Sequence, residues 1–143
     1  MKYEITNENK RGRRYSLTLY RIRALKDFGK VKAGDLGGWI EGESNLSQEG
    51  KAWVSGDAEV SGDAQVFGDA EISEYAEVSG NARVSGDARV YGKAWVFGDA
   101  RVSGDAEVSG DAQVYGKAWV YGDAEVYGDA RLSRAGLWKS SGL

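Results

Sequence analysis

The residues of this chain with most to offer chemically are aromatic. Trp53, Trp95 and Trp119, with Phe67, Tyr91, Phe97, Tyr115, Tyr121 and Tyr127, fall at positions that face outward if their stretch of chain is extended. Rings of that size are costly to leave in water, so they point to a surface that meets a partner, a glycan or a nucleobase. Self-association along one aromatic flank is the first expectation and a foreign ligand the second. Arg83, Arg89 and Arg101 lie among the rings. A guanidinium beside an aromatic face suits the phosphate and base of a nucleotide, and Arg89 and Arg101 are the arginines expected to serve one.

Other chemistry is closed off by composition. The 143 residues contain neither histidine nor cysteine. The commonest general base, the commonest zinc ligand and any thiolate are therefore missing. No catalytic residue, metal ligand set or cofactor is expected. Aspartates recur after glycine and could in principle line up to hold calcium. Asn81, Lys93 and Lys117 replace the aspartate without disturbing the frame, so it is read as a turn residue.

Charge is uneven. Residues 1–53 carry eleven Lys or Arg against seven Asp or Glu, a balance of +4; residues 54–133 carry six against fifteen, a balance of −9. A basic head sits on an acidic body, and direct DNA binding is not expected of the body. The run Lys10-Arg11-Gly12-Arg13-Arg14 reads as a solvated turn, or as a group that touches phosphate or an acidic subunit. An acidic rod could imitate duplex DNA, but Arg83, Arg89, Arg101 and Arg131 interrupt it.

The elements that must position these side chains come from one regularity. From Val54 to Leu132 an aliphatic residue stands at every sixth position, with Gly-Asp-Ala almost constant between. Such a fixed period overrides local propensity. Alanine and the next aliphatic residue are two apart and so face the same way in a strand, while the residue between them faces out. Glycine and aspartate make the corner. Stacked coils give each short strand its partner, and the valines fill the interior. The product is an all-β, single-stranded parallel β-helix.

This pattern resembles the hexapeptide-repeat proteins, and within them the YdcK-like β-solenoid repeats. The resemblance implies a left-handed coil of three hexads and a homotrimer. The leader, with Leu25-Lys26-Asp27-Phe28, Ala33 to Glu41 and Asn45-Leu46-Ser47, is similar to that of small phage and prophage proteins carrying such repeats. Many hexapeptide-repeat proteins are acyltransferases, which typically use a histidine that this chain lacks. A coil of four hexads is the alternative, since Glu59, Arg83, Glu107 and Arg131 alternate in sign every 24 residues and would stack as opposite charges.

The domain reading is a β cap over 1–47, the solenoid over 48–133 and a C-terminal tail over 134–143. In the cap, Lys2–Thr6 and Tyr15–Leu25 are expected as a hairpin turning at Asn7–Arg14. A bulge is expected where the apolar set changes from Tyr15, Leu17 and Leu19 to Tyr20, Ile22 and Ala24. Residues 34–38 are expected as a loop, Trp39-Ile40 as a cover on the first coil, and Leu137, Trp138 and Leu143 as a small lid. No apolar run approaches the roughly 18 residues of a membrane span, and the polar start lacks a signal-peptide core. The expectation is a cytoplasmic, non-enzymatic binding or scaffold protein of phage type. The alternatives are a counter-defence protein that sequesters a host factor or nucleotide signal, and a degenerate acyltransferase.

Overall fold

The computed structural model describes residues 1–134 together with the strand Leu137–Trp138. Of the expected C-terminal lid, Leu137 and Trp138 instead continue the coil, paired in parallel with Trp119 and Val120, and Leu143 lies outside the described residues. Almost every element is a strand. β1 (Tyr3–Arg11) and β2 (Thr18–Ala24) form an antiparallel hairpin, and β3 (Leu36–Ile40) pairs antiparallel with β2. Fourteen two-residue strands follow at six-residue intervals, from Trp53–Val54 to Arg131–Leu132.

Each short strand pairs in parallel with the one eighteen residues on, as in Val54 with Ile72 and Ile72 with Val90. Three hexads therefore make one coil. The four-hexad alternative is wrong: Glu59 stands beside Glu77, not Arg83. Its sign alternation has another origin, given below. The result is a β-solenoid of three flat walls around a column of side chains. From Ala52 to Val126 every inward alanine and aliphatic residue is essentially unexposed. Burial of each valine contributes roughly 1.5–3 kcal/mol.

The corners explain the recurring glycine. Gly86 has φ +65°, and a Cβ there would lie 2.9 Å from the amide nitrogen of Gly104 on the next coil. Glu74 is the one non-glycine residue with positive φ among the described residues, at +60°. The corner amides bond vertically, as when Asp87 N–H donates to the Gly104 carbonyl at 2.8 Å.

The solenoid begins earlier than residue 48. Trp39 pairs with Glu59, Ile40 with Val60, and Leu46 bridges to Val66. Trp39-Ile40 thus belongs to the first coil rather than lying over it. The hexad frame hides this because the step from Leu46 to Val54 is eight residues, two more than the rule. Residues 36–38, expected within a loop, are strand, because Gly37 and Gly38 let β3 approach: a Cβ on Gly37 would lie 2.6 Å from the Val54 carbonyl.

The hairpin has two jobs, and its bulge separates them. Its turn falls at residues 12–17 rather than Asn7–Arg14, and the pairing shifts between Ile5 and Asn9. Below the shift Tyr3, Ile22 and Ala24 close the open end of the coil. Lys2 is buried there, donating to the Ala52 carbonyl at 2.7 Å, and Tyr3 Oη donates to the Leu46 carbonyl at 2.6 Å. These bonds satisfy carbonyls that have no coil above them. Burial pulls the Lys2 ammonium down to about 8 and pushes the Tyr3 phenol up. Beyond the shift the hairpin folds over an outer wall, where Leu19 is buried beside Gly12 and Glu59. The change of apolar face expected in β2 is real, with the extra residues in the strands opposite it.

Candidate binding wall

The outward residues form one column on each wall. The first wall carries Trp53, Glu71, Arg89, Glu107 and Glu125. The second carries Trp39, Glu59, Glu77, Trp95, Gln113 and Arg131. The third carries Gln65, Arg83, Arg101 and Trp119, with Leu137 next in register. The nine aromatic residues do not make one flank. They are spread over all three walls and the corners between them.

The second wall is occupied by the chain itself. Glu59 is only 5% exposed, its Oε2 2.9 Å from Lys10 Nζ and 3.1 Å from Arg13 Nη1. Arg13 also donates to the Asp57 and Tyr75 carbonyls, at 2.8 and 2.9 Å. Arg14 Nε donates to Glu77 Oε1 at 3.0 Å, and its guanidinium lies 3.5 Å over the Trp95 ring. Trp95 stacks on Phe97, and Phe97 on Tyr115. The basic run is therefore a clasp on the body's own carboxylates, not a solvated turn.

The first wall is partly covered. Trp53 is 7% exposed and takes the edges of Tyr3 and Phe28, so it is not an outer aromatic site. The Phe28–Val31 turn, Lys51, Asp69 and Arg89 border a groove of about 400 Å³ above it. Arg89 stands between Glu71 and Glu107 in direct register, so charge alternates over those three coils. Tyr91 Oη donates to Glu107 Oε1 at 3.0 Å, while Tyr127 at the same corner is 48% exposed.

The third wall is open. Arg83 and Arg101 are adjacent in register, and neither makes an ion pair with a described residue. Like charges directly opposite are unfavourable on a sheet. Next in the column is Trp119, 41% exposed, its indole N–H donating to Ser103 Oγ at 3.3 Å and its ring beside Tyr121. With Asn81, Asp99 and Lys117 these residues line a groove of about 370 Å³. Arg83 also borders a second groove, of about 450 Å³, with Gln65 and Phe67.

Sequence reasoning found Arg83, Arg101 and Trp119 separately but did not join them. Arg89, expected to act with Arg101, is on another wall. The missed residues are Asn81 and Lys117 in the groove and Glu77 in the clasp; Arg13 and Arg14 were picked out in the basic run, but not their partners on the same chain. The signal that could have joined Lys117 and Trp119 to the groove is the pentapeptide Gly-Lys-Ala-Trp-Val, at 50–54, 92–96 and 116–120. Its copies are 42 and 24 residues apart, each six more than a multiple of the eighteen-residue coil. Each copy therefore lands on a different wall. The 24-residue sign alternation is the same effect: Glu59 and Glu77 of the second wall become Arg83 and Arg101 of the third. Among the described residues no three carboxylates gather as a metal site, and no helix is long and apolar enough to cross a membrane.

Residues 76–92, 82–98 and 100–116 match the YdcK beta-solenoid repeat, so the coils in that stretch are similar to repeats of that type. A protein of Escherichia coli strain K12, named as the uncharacterized acetyltransferase YdcK, is 37% identical over 59 residues. The match takes in 37% of this chain and 18% of that protein, so the two share only a minor part of the longer chain.

Proposed function

We propose that this solenoid of YdcK-type repeats is a non-enzymatic binding and scaffold protein, of phage or prophage origin, that works through its outer walls and self-associates. One observation carries the reading. The alanine and valine column fills the interior, so every side chain able to recognise anything projects from a wall or a corner. The lack of histidine and cysteine supports it, and the leader's resemblance supports the phage origin.

Copies meet at the corner ridge of Tyr91 and Tyr127, where an exposed phenol ring lies beside a flat, rigid sheet. Mass measurement at tens of micromolar tests this. A trimer that Tyr127→Ser weakens is the expected result; a clean monomer would sink self-association.

The name of the Escherichia coli relative favours a second reading, acetyl transfer. It requires a proton acceptor other than histidine, because the chain has none. Calorimetric titration with acetyl-coenzyme A, followed by assay of thiol release with amine acceptors, distinguishes the two.

A further inference from the structure

The third wall is a charge-inverted copy of the clasped second wall. In both columns two like charges on adjacent coils are followed by a tryptophan: Glu59, Glu77 and Trp95 on one, Arg83, Arg101 and Trp119 on the other. Both indoles are pinned alike, each N–H donating to a serine sixteen residues earlier, Ser79 at 3.1 Å and Ser103 at 3.3 Å. The second wall shows what this arrangement accepts. Groups of opposite charge settle on the paired charges, and a flat guanidinium settles on the indole face. On the third wall the same three places are built: neither arginine has an ion-pair partner among the described residues, and Trp119 is 41% exposed.

We infer that the third wall binds a nucleoside diphosphate, with its two phosphates on Arg83 and Arg101 and its base on the open face of Trp119. Adjacent parallel strands are about 4.8 Å apart, so the two guanidinium forks can each take one phosphate of a linked pair. A nucleobase is the flat group that an indole face accepts without regard to sequence. Lys117 adds a third cation, against one carboxylate, Asp99, whose Oδ1 accepts from Asn81 Nδ2 at 3.2 Å. That carboxylate can accept a ribose hydroxyl. An acidic peptide would satisfy the arginines but leave the indole face without a partner, and so fits less well. The inference rests on the reading of the outer walls as the working surface.

Calorimetric titration of the full chain with ADP, adenosine, inorganic pyrophosphate and a hexaglutamate peptide tests it. ADP is expected to bind at least about fivefold more tightly than pyrophosphate, the lower end of what stacking one base supplies. Arg83→Gln and Arg101→Gln are each expected to weaken ADP about tenfold, the scale of a lost charge-assisted contact. Trp119→Leu should weaken ADP while leaving pyrophosphate within about twofold, and Arg89→Gln should change neither. No affinity for ADP, equal affinity for ADP and pyrophosphate, an equal loss in Arg89→Gln, or tighter binding of hexaglutamate would each overturn the inference. Circular dichroism of each variant separates lost binding from lost fold. ADP binding by a monomeric chain would sink self-association and keep this site; a trimer without ADP affinity would do the reverse.

Discussion

The second and third walls are built from the same column and differ in who occupies it. On the second, two glutamates and a tryptophan hold the chain's own basic hairpin; on the third, two arginines and a tryptophan hold no described residue. A solenoid repeats its backbone so faithfully that local geometry cannot tell one wall from another. Function must then come from the outward residues, and from which of them the chain has already satisfied.

Charge reversal should separate the walls most sharply. Glu59→Lys places a cation against Lys10 and Arg13 at a nearly buried position. A loss of about 2–4 kcal/mol in urea unfolding is expected, less than for a fully buried pair because the cationic ends reach solvent. A loss below about 1 kcal/mol would mean that the clasp is ornamental.

The cap that anchors the clasp should show in the pH dependence. Lys2 titrates near 8 when folded and at 10.5 when unfolded. Between those values the unfolded chain binds the extra proton, so stability rises with pH. Tyr3 works the other way above pH 10, because the folded state keeps its proton longer. Chemical denaturation from pH 7 to 11 should show a gain of about 1–2 kcal/mol up to about pH 10, then a decline. Lys2→Met should erase the rise.

Arg14→Ala should cost about 1 kcal/mol through the lost stacking on Trp95 and the lost contact with Glu77. Added salt should shrink only the ionic part of that loss. The smallest effect has the opposite sign. Arg83→Glu sets a carboxylate beside Arg101 and should stabilise by roughly 0.5 kcal/mol. The same kind of reversal thus harms the clasped wall and helps the open one. Destabilisation by Arg83→Glu would show that Arg83 already has a partner.

The coil was legible in sequence because burial leaves a periodic mark. Val60, Val66 and Ile72 could be assigned to the interior from spacing alone, and they are there. Ile40 and Leu46 do the same work but were missed, because a two-residue insertion breaks the count before Val54. Trp53 looked outward by parity and is outward by parity. It is buried because Tyr3 and Phe28, distant in sequence, cover it. The partners of Arg13 and Arg14 were illegible for the same reason. A hairpin's path over a wall depends on where its bulge bends it, and Ile5 to Asn9 gives no periodic sign of that.

The six-residue step has an evolutionary edge. Removing or inserting a single hexad would leave the valine column intact, and the chain would still fold. Every residue downstream would turn through one third of the circumference, so a change between Arg83 and Arg101 would carry Arg101 and Trp119 off the face that holds Arg83. Only changes in units of eighteen keep every face in phase, which makes the outer surface vulnerable to small insertions that the core would hardly notice.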